Sequence, residues 1–248
     1  MKFVHWENGN MSLGHNPSIV TSGLMLCLDA ANKRSYPGTG TTWFDLSGNG
    51  YNFTLTNSPT YGNHKNTPCF TFSGVDDYAT RAGSIAQDIG SACTLTIVMS
   101  SINNTNFGGC SRLFSVSDGT TTNNDYSNYF TLASCIESKF GLWYKSNPGG
   151  LYPTSELKTA NDDYKIVTYK WTAGSNAYVF VNGEQESSAA CTTAFNYTQV
   201  QRMTVAMNSN LLIENSYVRV ASIMMYNVEL TAAQIAQNFN AIRGRYGI

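Results

Sequence analysis

After residue 20, hydrophobic and polar residues alternate along most of this chain. Leu24, Leu26 and Leu28 form the first such run. A period of two is typical of β-strands that bury one face. Similar runs occur at residues 70–72, 95–99, 114–116, 142–144, 167–171, 177–181, 203–207 and 218–222. Gly, Asn, Ser and Pro clusters separate these short runs, and this arrangement predicts an all-β sandwich or barrel.

The strongest turn signal in the chain is Asn182-Gly183. Both residues tolerate the positive φ that a type I′ hairpin turn requires. We therefore predict that residues 178–181 and 184–187 pair as an antiparallel hairpin.

One helix is predicted near the C-terminus. Thr231 and Gln234 have the spacing of a capping box, in which each side chain bonds a first-turn backbone N–H. The apolar residues that then share one helical face are Ile235, Phe239 and Ile242. We expect this helix to end at Gly244 and to cover one end or edge of the β-structure.

Residues 1–20 form an N-terminal arm that is polar and irregular, apart from an apolar group at Phe3, Val4 and Trp6. We expect the arm to be held by the domain or by a neighbouring subunit. Neither a linker nor a repeat of 20–50 residues divides the remainder. Residues 21–248 are therefore interpreted as one domain.

Composition and charge exclude several classes of partner. Charged residues make up 12% of the chain and the net charge is −1, with no run of Lys or Arg. Such a chain is a poor ligand for nucleic acid. We also expect no contact with membranes, because there is no transmembrane segment of ~20 apolar residues. The N-terminus lacks the apolar core of a signal peptide.

Six cysteines occur at irregular spacings, without a CxxC pair. Because no signal peptide is recognised, free buried thiols are the favoured interpretation and a disulfide framework is the alternative.

Several local patterns, taken together and in order, resemble the concanavalin-A-like (laminin-G-like) lectin/glucanase superfamily. They are Gly23-Leu-Met-Leu-Cys-Leu-Asp29, Trp43-Phe-Asp-Leu-Ser-Gly-Asn-Gly50, Phe72-Ser-Gly-Val-Asp-Asp-Tyr78, Tyr178-Val-Phe-Val-Asn-Gly183 and Ile223-Met-Met-Tyr-Asn-Val-Glu-Leu-Thr231. The resemblance implies a two-sheet antiparallel jelly-roll sandwich. It is closest to versions found in tailed-phage virion proteins, through residues 17–24 and the ending Arg243-Gly-Arg-Tyr-Gly247. The fold does not imply one function.

Three carboxylates are candidate calcium ligands. Asp45 lies in the turn sequence Asp45-Leu-Ser-Gly-Asn-Gly50, and Asp76 and Asp77 lie in the segment before Tyr78. Each group has a competing interpretation as a hydrogen-bonded turn. Apart from calcium at these positions, no cofactor is expected.

The sequence lacks the paired carboxyls of a glycosidase, and nothing in it points to a Ser/His/Asp triad. A retaining glycosidase needs two carboxyls about 5 Å apart, which the superfamily supplies on one strand as Glu-x-Asp-x-x-Glu. The only near pair of Glu residues is Glu184 and Glu186, directly after the predicted turn. His5, His15 and His64 lack the spacing of metal ligands. We therefore predict that the protein is not an enzyme.

Aromatic residues in loops are the candidate glycan-binding residues, because flat rings stack on sugars. They are Tyr126, Tyr129, Trp143, Tyr144 and Tyr152, together with Tyr36 and Tyr61. Ordinary packing in the core or at its rim is the alternative for each of them. Residues 103–129 are expected to form the longest loop region and a contact surface.

The favoured hypothesis is a non-catalytic phage virion structural protein: a capsid decoration, tail fibre or tail-associated subunit. It would assemble in the host cytoplasm with other virion proteins or copies of itself, and would bind host cell-surface glycans. The alternative is a soluble carbohydrate-binding lectin without an assembly role, and a glycosidase is the remote alternative.

Overall fold

A computed structural model describes residues 17–84, 91–101, 110–117, 128–135, 139–144, 162–191, 201–207 and 216–248. These residues form two antiparallel β-sheets and one C-terminal helix, which confirms the predicted sandwich. The strands are β1 (Leu24–Asp29), β2 (Thr42–Trp43), β3 (Phe53–Thr56), β4 (Thr60–His64), β5 (Thr67–Ser73), β6 (Tyr78–Ala82), β7 (Ala92–Ser101), β8 (Cys110–Ser117), β9 (Asn128–Cys135), β10 (Lys139–Tyr144), β11 (Lys165–Thr172), β12 (Ser175–Val181), β13 (Glu184–Cys191), β14 (Arg202–Val205) and β15 (Tyr217–Tyr226).

Sheet A has eight strands and sheet B has seven. The order in sheet A is β13-β12-β11-β7-β15-β5-β4, and β1 also pairs with β15. The order in sheet B is β10-β9-β8-β14-β6-β3-β2. Strands distant in sequence are neighbours in both sheets, as in a jelly roll.

The core lies between the inner faces of the two sheets. Val167, Tyr169 and Trp171 alternate along β11 and are fully buried there, as their spacing predicts. Sheet B contributes Phe53, Phe114, Phe130, Leu132, Met203 and Val205. Aromatic rings join the sheets: the Phe130 and Trp171 ring centroids are 4.7 Å apart in a T-shaped arrangement.

Strand β15 is buried on both faces. A register shift between Val220 and Ser222 changes which residues face the core. Val218 and Val220 face inward before the shift, and Ile223 and Met225 do so after it. The alternation predicted over residues 218–222 therefore ends at Val220. The Ser222 hydroxyl instead donates to the Leu28 carbonyl at 2.9 Å.

Helix α1 (Ala232–Ile242) lies against the outer face of sheet A. The capping box is present: Thr231 accepts from the Gln234 N–H, and the Gln234 side chain accepts from the Thr231 N–H. The helix covers the apolar outer residues Val98, Ile166, Phe180, Met224 and Tyr226. It thus covers a sheet face and not an end or edge, because sheet A is apolar on both sides. No helix in the described part of the chain is long and apolar enough to span a bilayer.

Helix α1 ends at Ile242, just before the predicted end at Gly244. Gly244 itself lies in a short 3-10 helix over Arg243–Tyr246 that follows directly. Gly247 then takes the left-handed conformation, with φ of 70°. This extension buries Tyr246, whose ring lies 5.3 Å from that of Tyr164.

The hairpin prediction at Asn182-Gly183 is confirmed. Both residues have positive φ, 52° and 84°, and β12 pairs antiparallel with β13. A Cβ on Gly183 would lie 2.8 Å from Cδ1 of Phe239 in α1. The turn therefore needs glycine for its own conformation and for the close approach of the helix.

Two buried hydroxyls give a test of the core. In the described part of the chain the Tyr169 hydroxyl has no hydrogen-bond partner, although it is fully buried. The Tyr226 hydroxyl donates to the Val20 carbonyl at 3.0 Å and accepts from Asn238 at 3.0 Å. Tyr169→Phe should leave the free energy of unfolding unchanged or raise it by about 1 kcal/mol, whereas Tyr226→Phe should lower it by about 1–2 kcal/mol. Urea denaturation of both variants measures the difference, and equal losses would contradict it.

Candidate functional site

Hydroxyl-bearing residues form a continuous row across the outer face of sheet B. Cross-strand pairing joins in direct register Thr54 (β3), Thr80 (β6), Thr204 (β14), Ser115 (β8) and Thr131 (β9). We call these five residues the hydroxyl row. The next position in the same register is Trp143 in the edge strand β10.

Strand alternation places the row on the outer face. The sequence neighbours of its members, including Phe53, Ala79, Phe114, Phe130 and Val205, lie in the core. Because consecutive residues of a strand face opposite sides of a sheet, the hydroxyls must face outward. The same alternation that builds the core therefore builds the polar row.

The row passes from an open to a buried part of the face. Thr54 is exposed and Thr80 is half-buried, whereas Thr204, Ser115 and Thr131 have at most 1% of their surface exposed. The buried hydroxyls are hydrogen-bonded: Thr131 Oγ1 donates to Ser115 Oγ at 3.1 Å, and Thr204 Oγ1 donates to the Met207 carbonyl at 2.7 Å. Contact with a ligand is therefore open at the β3 and β6 side of the row.

The strands of sheet B carry no carboxylate. None of the seven contains Asp or Glu. Basic residues are present, with Arg112 buried and Arg202 half-buried. This face can donate and accept hydrogen bonds, but its strands cannot supply the two carboxyls that glycoside hydrolysis requires.

The register separates the aromatic candidates from one another. Trp143 pairs with Thr131 and continues the row, whereas Tyr144 pairs with Phe130, a core residue of the inner face. Tyr129 lies at a register irregularity in β9. Tyr126 and Tyr152 lie outside the described residues. The sequence could not separate these five residues, because the assignment needs the register of β9 and β10.

Tyr36 and Tyr61 are packing residues. Tyr36 is buried in the core, and Tyr61 packs against it with ring centroids 4.7 Å apart. The prediction of one long loop over residues 103–129 is also wrong in part, because it contains the whole of β8 and the start of β9. The apolar alternation at Phe114 and Val116 was the correct signal there.

Asp45 holds the turn that follows β2. Its Oδ1 accepts from the N–H groups of Cys27 and Ser47, both at 2.9 Å. Its Oδ2 accepts from the Ser47 hydroxyl at 2.6 Å and from the Tyr51 N–H at 3.1 Å. Four donors thus use both oxygens, which is the geometry of the turn interpretation.

Asp77 has a similar arrangement. It is buried, and it accepts from the Ser73 N–H at 2.7 Å and from the Ser73 hydroxyl at 2.6 Å. Its neighbour Asp76 is exposed. Among the residues that the structure describes, no group of three or more His, Cys, Asp or Glu side chains could hold a metal ion.

The two interpretations of Asp45 predict different results. If the carboxylate anchors the turn, Asp45→Asn should lower the free energy of unfolding by about 1–3 kcal/mol, because an amide cannot accept from all four donors. Asp76→Asn, on an exposed carboxylate, should change it by less than about 0.5 kcal/mol. Thermal unfolding with added calcium and with a chelator should give the same midpoint. A calcium-dependent midpoint that Asp45→Asn abolishes would support the calcium site.

The N-terminal arm joins the domain at α1. The Val20 N–H donates to Asn238 Oδ1 at 2.8 Å, and Gln237 Nε2 donates to the Ser18 carbonyl at 2.7 Å. Residues 18–20 are therefore attached to the outer face of sheet A, on the side opposite to the hydroxyl row. The apolar arm residues Phe3, Val4 and Trp6 lie outside the described residues.

Two open pockets near the C-terminus are a second place to look for a site. One, of about 340 Å³, is lined in part by Lys65, Asp163 and Tyr246, and the other, of about 450 Å³, by Asp29, Lys33 and Arg245. Their charges are largely neutralised by ion pairs, Lys65 with Asp163 and Arg245 with Asp29 at 2.6 Å. These pairs hold the C-terminal segment and the strand ends together, so the hydroxyl row is the better candidate site.

Comparison with known proteins gives similarity in fold alone. No family model matches the sequence, and no curated protein matches it. Among solved structures, the chain is similar to the sialidase of Trypanosoma rangeli in complex with sialic acid (TM-score 0.64, 16% identity) and to the binding domain of botulinum neurotoxin DC in complex with SialylT (TM-score 0.65, 13% identity). It is also similar to the binding domain of Paraclostridial mosquitocidal protein 1 (TM-score 0.63, 13% identity).

The similarity covers most of this chain but only part of each neighbour. It covers 90% of the chain and 33% of the sialidase, 90% and 52% for the neurotoxin domain, and 88% and 52% for the mosquitocidal protein. The chain thus spans about a third of the sialidase and about half of each toxin binding domain. The shared feature is a lectin-like β-sandwich.

Proposed function

We propose that this chain is a non-catalytic glycan-binding module that holds saccharides against the hydroxyl row of sheet B. The observation that carries the proposal is the register that aligns five hydroxyl residues with Trp143. Hydroxyls donate and accept hydrogen bonds as sugar hydroxyls do. Trp143 holds the next register position beyond the row, and an indole ring offers an apolar surface of the kind that stacks on the flat face of a pyranose.

The absence of carboxylates from the strands of sheet B supports binding without hydrolysis. Among the similar structures, the sialidase is in complex with sialic acid and the neurotoxin binding domain is in complex with SialylT. The mosquitocidal protein structure is also a binding domain. Sialylated glycans are accordingly the first ligands to test.

Substitutions along the row test the proposal. Trp143→Ala should weaken glycan binding about tenfold through loss of ring contact. Thr54→Val removes one exposed hydroxyl and should weaken it about threefold. Titration calorimetry with paired sialylated and desialylated glycans measures both effects. The matched controls lie on sheet A: Tyr217→Ala and Thr60→Val replace exposed residues and should bind as the parent does.

Three outcomes would contradict the proposal. If no glycan on a broad array binds the intact chain, the glycan-binding role is wrong. If the chain releases sugar from a bound glycan, the non-catalytic role is wrong. Equal losses in the sheet A controls would place the binding site elsewhere.

We further propose that the module is a structural subunit of a phage virion: a capsid decoration, fibre or tail-associated protein. Its partners would be other virion proteins or copies of itself. Support comes from the resemblance of residues 17–24 and of Arg243-Gly-Arg-Tyr-Gly247 to tailed-phage virion proteins. It also comes from the attachment of residues 18–20 to α1, because an arm that leaves from this side can contact a particle without covering the hydroxyl row.

Removal of residues 1–16 tests the assembly role. The shortened chain should keep the circular dichroism spectrum and glycan affinity of the full chain, because residues 18–20 retain their contacts with α1. It should be lost from purified particles, as measured by quantitative mass spectrometry against the full chain. A full chain that is absent from particles, or a shortened chain that is incorporated equally well, would contradict the role.

A further inference from the structure

Two of the six cysteines lie directly opposite each other in sheet B. The β8–β9 pairing places Cys110 in register with Cys135. Residues directly opposite in an antiparallel pair have Cα atoms about 4.5 or 5.5 Å apart. Both distances fall within the range of about 4.4–6.8 Å found for disulfide-bonded cysteines. Directly opposite residues also occupy the same face of a sheet, so the backbone fulfils the geometric conditions for a cross-strand bond.

A lysine lies in the same register on the other side of Cys135. The β9–β10 pairing places Lys139 directly opposite Cys135. One row across three strands therefore runs Cys110, Cys135, Lys139. In general a positive charge near a cysteine favours its thiolate form, which is the nucleophile in thiol–disulfide exchange. The register position of Lys139 makes it the residue whose substitution tests this effect.

Three cysteines elsewhere in the fold are poor candidates for oxidation. Cys27, Cys69 and Cys93 form no disulfide. Burial, together with the nearby carboxylates of Asp29 and Asp45, raises the pKa of Cys27 to about 12, and burial also raises the pKa of Cys69 and Cys93. Thiols of this kind react slowly with oxidants. We therefore expect these three thiols to remain reduced under mild oxidation.

We propose that Cys110 and Cys135 are a redox pair that forms an intramolecular disulfide across β8 and β9. The oxidant is a small-molecule disulfide of the glutathione class. The Cys135 thiolate attacks one sulfur of this disulfide and releases one thiolate, leaving a mixed disulfide. The Cys110 thiolate then attacks the Cys135 sulfur and releases the second thiolate. One S–S bond forms and one breaks, and the two protons lost by the cysteines pass to the two released thiols.

The bond would close the ends of β8 and β9. It would close a loop from residue 110 to residue 135 and so lower the conformational entropy of the unfolded chain. Cys135 lies four residues beyond Thr131 in β9, or ~13 Å along the strand. The disulfide would therefore fix the relative position of two strands that carry the hydroxyl row, although the proposal stands whether or not glycans bind there.

Peptide mapping tests the pair. The full chain is reduced, then incubated with excess oxidised glutathione or with reduced glutathione, and free thiols are alkylated under denaturing conditions. Digestion with trypsin and chymotrypsin separates Cys93 from Cys110, since only chymotrypsin cuts between them. We expect two thiols to be lost on oxidation, a Cys110–Cys135 linked peptide, and a thermal midpoint about 5–10 °C above that of the reduced protein.

Variants separate this pair from the other thiols. Cys110→Ala and Cys135→Ala should each abolish the linked peptide and the rise in midpoint, while Cys27→Ala should retain both. Lys139→Gln should slow oxidation severalfold at neutral pH and reach the same end point. If an alanine variant fails to fold, the peptide map of the unsubstituted chain alone decides. Free thiols at both positions in excess oxidised glutathione, a stable glutathione adduct, or a bond to another cysteine would overturn the proposal.

Discussion

The double burial of β15 is the constraint on which the rest of the fold depends. This strand pairs along one edge with β7 and along the other with β5 and then β1. Its inner face packs on sheet B, so its outer face needs a second apolar cover. Helix α1 and Val20 provide that cover. The sandwich therefore has three layers at this position, and only sheet B keeps an outer face without a helix among the described residues.

Strands with one buried face could be predicted from the sequence, because their alternation is visible. The run at Val167, Tyr169 and Trp171 was also visible, because Thr168 and Lys170 alternate with it on the outer face. The Asn182-Gly183 turn was predicted from its residue types alone. The pattern failed where both faces are apolar. In β15, Ile223, Met224, Met225 and Tyr226 are all buried, and a bulge before them reverses the alternation. A bulge is a property of pairing between strands, which a single sequence does not reveal.

The candidate site was harder to predict for a related reason. Each of Thr54, Thr80, Ser115, Thr131 and Thr204 is an ordinary outward-facing strand residue in the sequence. Their alignment arises from the pairing of β3, β6, β14, β8 and β9, which are far apart in sequence. The sequence identified Trp143 as a candidate but could not separate it from Tyr144, one residue away on the opposite face. For the candidate calcium ligands, the sequence identified the residues but not their contacts. The carboxylate oxygens of Asp45 and Asp77 accept hydrogen bonds from nearby turn residues.

The attachment of residues 18–20 to α1 also affects how high the glycan affinity of one site needs to be. A module mounted by its helix side turns sheet B outward, and many copies on one particle would turn it outward together. Simultaneous contacts then act at a high effective concentration, so avidity can exceed the affinity of one site by several orders of magnitude. Within the hydroxyl row only Thr54, and in part Thr80, are open to solvent, so one site offers a sugar few contacts. Many such sites together would be sufficient for a densely decorated surface to adhere and still to detach by breaking contacts one at a time.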